Sequence, residues 1–193
     1  ACLPRGHIDG GHLACQNAIQ MTLKTTQIKT PIGIMVAIAD DKAVLFLAFT
    51  DGRSVESEIE YLRKSKKADL EAGSNTVLKS IESELKEYFD GKRTSFKTPL
   101  ALDGTPFQET VWKSLQRIPY GATSSYADVA RAIGKPTAFR AVANANGQNK
   151  ITIVIPCHRV IKSDGDLCGY GGKPERKQWL LDHEKSVRMQ NVR

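Results

Sequence analysis

The sequence predicts an α+β fold in two parts, a small antiparallel sheet with helices followed by a mostly helical unit. Three observations carry this prediction. Alternating and β-branched runs gather in residues 22–49, with one further run at 151–155, and helical apolar stripes with capping residues recur from 75 to 184. A proline- and glycine-marked break, Thr98-Pro99-Leu100-Ala101-Leu102-Asp103-Gly104, separates the two parts. With 193 residues, 40% hydrophobic and 25% charged, the chain has the composition of a globular protein able to bury a core.

Residues 1–21 show no period, and Gly6, Gly10 and Gly11 suit a tail or linker. This stretch nevertheless carries Cys2, His7, His12 and Cys15 in the spacing C-x4-H-x4-H-x2-C. These are four zinc-type ligands, in a spacing that matches no common finger, so a structural zinc is an expectation for metal analysis to settle. From Thr22 the pattern alternates, Pro31-Ile32-Gly33 turns the chain, and two apolar runs, 34–39 and 44–49, are joined by Asp40-Asp41-Lys42. A three-stranded antiparallel meander is expected. Helices follow at 54–63 and 75–89. The second has Val77, Leu78, Ile81, Leu85 and Phe89 on one face, Asn75 as its cap and Gly91 as its stop. Residues 22–98 gather no cluster of His, Cys and carboxylate and read as scaffold.

The second unit, 105–185, opens on Thr105-Pro106-Phe107-Gln108, which supplies a cap, a proline at the first helical position and a capping-box glutamine. That helix should run to about 117 with Phe107, Val111, Leu115 and Ile118 inward and Trp112 flanking, until Pro119-Tyr120-Gly121 ends it. Short helices at 125–133, stopped by Gly134, and at 137–146, stopped by Gly147, form a helix-turn-helix pattern. Ala138, Ala141, Val142 and Ala145 keep the second of these slim, and Arg140 lies on another side. A plain helical hairpin with a solvated arginine would read the same way. Charge distinguishes the two: basic and acidic residues balance over 1–106, and the whole net charge of +7 arises in 107–193, which argues for a polyanionic partner there. A last helix is expected over 174–184, with a tail from 186.

No apolar run approaches the ~20 residues of a membrane-spanning helix, and the first residues lack the apolar block of a secretory signal. Four irregularly spaced cysteines make a poor disulfide framework. An intracellular protein with reduced thiols is expected, in the cytoplasm and nucleoid or in the nucleus according to its source.

The most reactive stretch is Ile151-Thr152-Ile153-Val154-Ile155-Pro156-Cys157-His158-Arg159-Val160-Ile161, an apolar strand-like run interrupted by a thiol, an imidazole and a guanidinium. A cysteine attacks as thiolate and needs a base or cation nearby. Neighbours on a regular strand face opposite ways, so either Pro156 bends the chain or a water relays the proton from Cys157 to His158. His158 in turn needs an acceptor, and Glu184 at the end of the last helix is the best candidate, with Trp179, Leu180 and His183 on that helix's inward stripe. On these residues alone, an inert buried cysteine remains the alternative.

Ile155-Pro156-Cys157-His158-Arg159-Val160-Ile161, Phe107-Gln108 with Val111-Trp112, Ser125-Tyr126, Arg140-Ala141-Val142, Asn149, Gly169-Tyr170-Gly171-Gly172 and Trp179-Leu180-Leu181-Asp182-His183-Glu184 together resemble the O6-alkylguanine-DNA alkyltransferases. The resemblance is strong over 105–184 and extends more weakly to 22. It implies a ribonuclease H-like first domain and a winged-helix, helix-turn-helix second domain. By the same resemblance Cys157 takes the alkyl group from O6-alkylguanine, with O4-alkylthymine a further substrate candidate, in double-stranded DNA and in a single turnover. Glu184 orients His158, His158 activates Cys157 through a water, Asn149 braces the turn, and Tyr126 serves the leaving base. Arg140 enters the space left by a flipped nucleotide while Ala138 and Ala141 approach the minor groove and Lys135 contacts phosphate. Tyr170, Gly171 and Gly172 rim the pocket, with Arg159 beside them for structural pairing near the site. The implied protein is a monomer that needs no cofactor. Gly171 departs from the small hydroxyl residue common at its position, Lys173-Pro174-Glu175 replaces a more apolar segment, and Cys168 reads as a bystander. Two other classes fit parts of the chain. A non-catalytic or regulatory DNA binder would dispense with Cys157, and a Cys-His-Glu hydrolase would leave the helix-turn-helix and Arg140 without a use.

Overall fold

A computed structural model describes residues 21–167 and 170–190. The expected zinc ligands Cys2, His7, His12 and Cys15, and also Cys168, lie outside them.

Three strands, β1 (Met21–Thr30), β2 (Gly33–Ala39) and β3 (Val44–Phe49), form the antiparallel meander. The sheet has a fourth member that the sequence reading missed. After helix α1 (Val55–Lys66), Lys67 adopts a left-handed conformation and the chain returns as β4 (Ala68–Ala72), parallel to β1, giving the order β3-β2-β1-β4. Ala-Asp-Leu-Glu-Ala is short and polar, as suits an edge strand, and carries no local strand signal. Helix α2 (Thr76–Phe89) covers the sheet with the expected stripe, and its cap is as read: the Asn75 side chain accepts from the Leu78 amide. Tyr88, not counted in that stripe, is fully buried.

Glu84 of α2 ties down the chain leaving the first unit. Its buried carboxylate accepts from the Lys97 amide at 2.9 Å and from the amide and hydroxyl of Thr98 at 3.1 and 2.9 Å. The second unit begins with α3 (Pro106–Leu115), whose reciprocal Thr105–Gln108 capping box is present. Trp112 is almost fully buried and donates from Nε1 to the Ala145 carbonyl at 2.8 Å, so α3 is bonded to the second helix of the helix-turn-helix.

Strand β5 (Ser124–Ser125) leads into α4 (Tyr126–Ala132), which is capped by a second box between Ser125 and Asp128. Helix α5 (Phe139–Gly147) starts two residues later than expected, because Ala138 at the cap offers no side-chain acceptor and Pro136-Thr137 form a turn. The stretch 151–161 is not an interrupted strand. Thr152 donates to Leu47 O, Ile153 takes a φ of 74°, and Ile155 N closes back on Ile151 O. A 3-10 turn over Cys157–Arg159 follows, and β6 (Val160–Ile161) pairs in parallel with β5. Helix α6 (Pro174–Gln190) continues past 186. One apolar core runs from the sheet through α2, α3 and α5 to the Cys157 turn. Among the described residues no helix is long and apolar enough to cross a membrane.

Removing the Glu84 carboxylate would strand the buried amide and hydroxyl of Thr98, so Glu84→Ala should lower the unfolding free energy by about 2–3 kcal/mol. In urea titration the midpoint falls and the slope is retained. An unchanged midpoint would show that this link contributes nothing to joining the two units.

Candidate active site

Cys157 sits on the 3-10 turn, 5% exposed, in the wall of a cavity of about 560 Å³, a size typical of ligand pockets. The turn is held by Asn149. Its Oδ1 accepts from the Ile151 amide at 3.0 Å, while its Nδ2 donates to Ile155 O at 2.8 Å and reaches Cys157 Sγ at 3.0 Å. One amide thus spans the strained turn and touches the thiol. A β-branched residue at a φ of 74° persists only where its surroundings dictate it. Here Ile153 is fully buried and its turn is bonded on both sides.

Behind the thiol lies Glu184. Its Oε1 accepts from His158 Nε2 at 2.8 Å, Arg159 Nη2 at 3.0 Å and the Tyr88 hydroxyl at 2.8 Å. Its Oε2 accepts from Arg159 Nε at 2.9 Å and the Gly121 amide at 2.9 Å. Burial alone would raise this carboxyl, but the His158 and Arg159 contacts outweigh it and hold the group at about 2. Glu184 is therefore an anion and only accepts, which puts the imidazole proton on Nε2. Nδ1 of His158 is left as a buried acceptor with no partner among the described residues. Burial lowers the His158 pKa below its ordinary value despite Glu184, so the ring is neutral near neutral pH. Burial pushes the Cys157 thiol up, while Asn149 and the charge of Lys177 oppose it. The resting site is a neutral thiol beside a neutral base.

Gly121 approaches so closely that a Cβ would stand 3.0 Å from Glu184 O, and its φ of 69° is left-handed, so glycine is required there. Gly172 is required by crowding, since a Cβ would meet the Tyr170 ring at 2.7 Å and Phe49 at 3.1 Å. A Cβ at Gly171 would meet nothing, so the departure at that position leaves open space at the cavity wall.

The structure brings together Cys157, His158, Glu184 and Asn149 as expected, with Tyr170, Gly171 and Gly172 lining the cavity. Two expected residues fall elsewhere. Arg159 does not line the cavity; its guanidinium is bound by Glu184 and by Ile118 O at 2.7 Å, because a buried cation needs its anion. Tyr126 opens α4 and packs against the core without lining the cavity. On α5 Arg140 is exposed with its guanidinium 5.6 Å from the exposed Phe139 ring, Ala141 is exposed and Ala138 half-buried. Ala145, expected on the slim outer side, faces the core. Lys135 Nζ lies 5.9 Å from the Phe107 ring.

Helix α6 faces inward with Lys177, Leu180, Glu184 and Val187, not with Trp179 and His183, which stack on each other at 4.9 Å at its border. Lys177 was missed. It is 1% exposed and donates to Val160 O at 2.6 Å, and the signal was available in its spacing, three and seven residues before Leu180 and Glu184. Tyr88 was also missed, because nothing local marks a phenol whose partner is 96 residues away. Asn146 was a third omission; it is 2% exposed, lines the cavity and reaches Cys157 O from Nδ2 at 3.4 Å. Among the described residues no group of three or more His, Cys, Asp or Glu side chains is placed to hold a metal ion.

Comparison with known proteins agrees with this arrangement. Residues 23–102 match the ribonuclease-like domain of 6-O-methylguanine DNA methyltransferase, and residues 106–186 match its DNA-binding domain. A methylated-DNA–protein-cysteine methyltransferase of Methanosarcina barkeri is 40% identical over 160 residues, covering 82% of this chain and 95% of its own. One from Mycobacterium bovis is 45% identical over 159 residues, covering 82% and 90%. A solved Mycobacterium tuberculosis protein of this kind, crystallised in complex with DNA, superposes with a TM-score of 0.73 at 38% identity, covering 86% of this chain and 94% of its own. With both halves matched and relatives at 40% identity or more over most of its length, the chain belongs to the 6-O-methylguanine DNA methyltransferase family.

Proposed function

We propose that this protein repairs O6-alkylguanine in double-stranded DNA by moving the alkyl group to Cys157 Sγ. The observation that carries the reading is a thiol in a cavity wall, touched by Asn149 and followed by an imidazole whose proton is fixed on the side of Glu184. Nδ1 of His158 accepts the thiol proton, through a water where direct contact is out of reach. The sulfur electron pair forms the S–C bond as the bond from carbon to O6 breaks and its pair passes to the base. A proton donor then serves the guanine, the role the family resemblance gives Tyr126. The thioether has no hydrolytic exit, so each molecule acts once. The thiol, the base and its carboxylate all come from one chain, which supports a monomer working without a cofactor.

A base inside a stacked duplex is out of reach of a thiol in a cavity, so the nucleotide must leave the helix. Exposed Arg140 at the start of α5, with Phe139 beside it, suits insertion into the vacated space from the minor groove. Lys135 adds charge for the backbone.

Incubation with duplex DNA containing O6-methylguanine, followed by peptide mass mapping, should give one methyl on Cys157 and repair equal to the protein added. Continued turnover would support a hydrolase, and binding without an adduct a regulatory protein. In the same assay Arg140→Ala should slow duplex repair at least ten-fold while leaving the reaction with free O6-methylguanine base unchanged; equal slowing removes the flipping role.

The pH dependence follows from His158. Because its pKa is held below the ordinary 6.5, the transfer rate should stay level as pH falls through 6.5 and drop only at lower pH. Folding stability moves with it. The unfolded chain binds more protons than the native one below 6.5 at His158 and below 4.5 at Glu184, so stability is lost on acidification through these ranges, down to about 2. An acid limb at or above 6.5 would contradict a neutral buried base.

A further inference from the structure

We propose that Tyr88, on α2 of the first unit, is a positioning residue for the transfer, setting through Glu184 how readily His158 accepts the thiol proton. The proposal rests on Cys157 being the alkyl acceptor, and it gives the first unit a part in the chemistry beyond that of scaffold.

Three donors converge on the single oxygen Glu184 Oε1: His158 Nε2 and the Tyr88 hydroxyl, each at 2.8 Å, and Arg159 Nη2 at 3.0 Å. Tyr88 has no exposed surface. Its ring is packed among Phe89, Phe96, Tyr120 and His183, and its own carbonyl is bonded to His183 Nε2 at 2.9 Å. The phenol thus has one place to point. Burial and the neighbouring carboxylate raise its pKa well above the ordinary value, so it is a donor at every working pH.

A hydrogen bond to a carboxylate in a low-dielectric site draws off part of its charge and weakens its hold on its other donors. Without the phenol, Glu184 binds the Nε2 proton more strongly, the imidazole becomes more basic, and its protonation moves to higher pH. Among the described residues the remaining charged and titratable groups facing the pair are Arg159 and Cys157 from the 3-10 turn, Lys177 from the same helix as Glu184, Tyr120 from the loop before Gly121, and Tyr170 from the segment before α6. None of these is bonded to Tyr88 through its hydroxyl, so they stay constant when that hydroxyl is removed. Transmission of part of this charge-assisted bond to His158 corresponds to an upward shift of about half to one pH unit.

Tyr88→Phe keeps the ring and its packing while deleting the donor. The His158 titration, followed by imidazole NMR in the full chain, should move up by about half to one unit, and the acid limb of methyl transfer should move with it. Replacement of Tyr88 by a fluorotyrosine strengthens the donor and should shift both downward. The NMR titration needs no substrate, so it tests Tyr88 even if Cys157 accepts no alkyl group, whereas failure of transfer in the unaltered protein would count against the functional reading alone. A merely structural Tyr88 would lower the unfolding midpoint in Tyr88→Phe and leave the His158 titration where it was, and that result overturns the proposal.

Discussion

The rest of this molecule is arranged around one buried carboxylate. Glu184 has no exposed surface, and an anion in that position costs several kcal/mol unless it is paired and fully bonded. It receives five hydrogen bonds from three separated parts of the chain: Tyr88, the Gly121 turn, and the adjacent His158 and Arg159. Each donor has its own constraint. Gly121 must be glycine for its amide to come close, Arg159 must leave the cavity to neutralise the charge, and α6 must turn a face bearing both Lys177 and Glu184 inward. Satisfying the carboxylate is thus a folding requirement, and it leaves His158 with one nitrogen occupied and the other available.

The thiol shows the same economy. Burial raises its pKa, which keeps the resting cysteine in its less nucleophilic thiol form. Asn149 supplies the local order. The Ile151–Ile155 turn, with its left-handed Ile153, aims the chain so that Cys157 reaches the cavity while His158 points back to α6. The parallel pairing of β5 with β6 then places the start of the helix-turn-helix opposite residues 160–161, three residues beyond the nucleophile. The helix that carries Arg140 and the turn that carries Cys157 are parts of one core.

What could be read from the sequence was the part specified locally. The Thr105–Gln108 capping box, the Asn75 cap and the stripe of α2 depend on residues within a few positions of each other, and they appear as read. The Cys157–His158–Glu184 set was legible from chemistry joined to a family resemblance. What failed was decided by distant partners. Strand β4 exists because β1 offers an edge, not because its own residues favour a strand. Arg159 was placed with the pocket because its pairing with Glu184 lies 25 residues off in sequence. The apolar run 151–155 looked like a strand, yet its backbone bonds close a turn from Ile155 to Ile151 and reach Leu47 from Thr152. Tyr88 stood hidden in a helix read as scaffold.

The central claim is that the charge of Glu184, and not only its shape, prepares the site. Glu184→Gln tests it most directly, since the amide is isosteric yet neutral and presents donors where only acceptors fit. Single-turnover methyl transfer to Cys157 should fall by two orders of magnitude or more in protein that still folds by circular dichroism, with unfolding at a lower urea concentration. Transfer at the rate of the unaltered protein would contradict the account, leaving Glu184 a structural anchor with no part in activating Cys157.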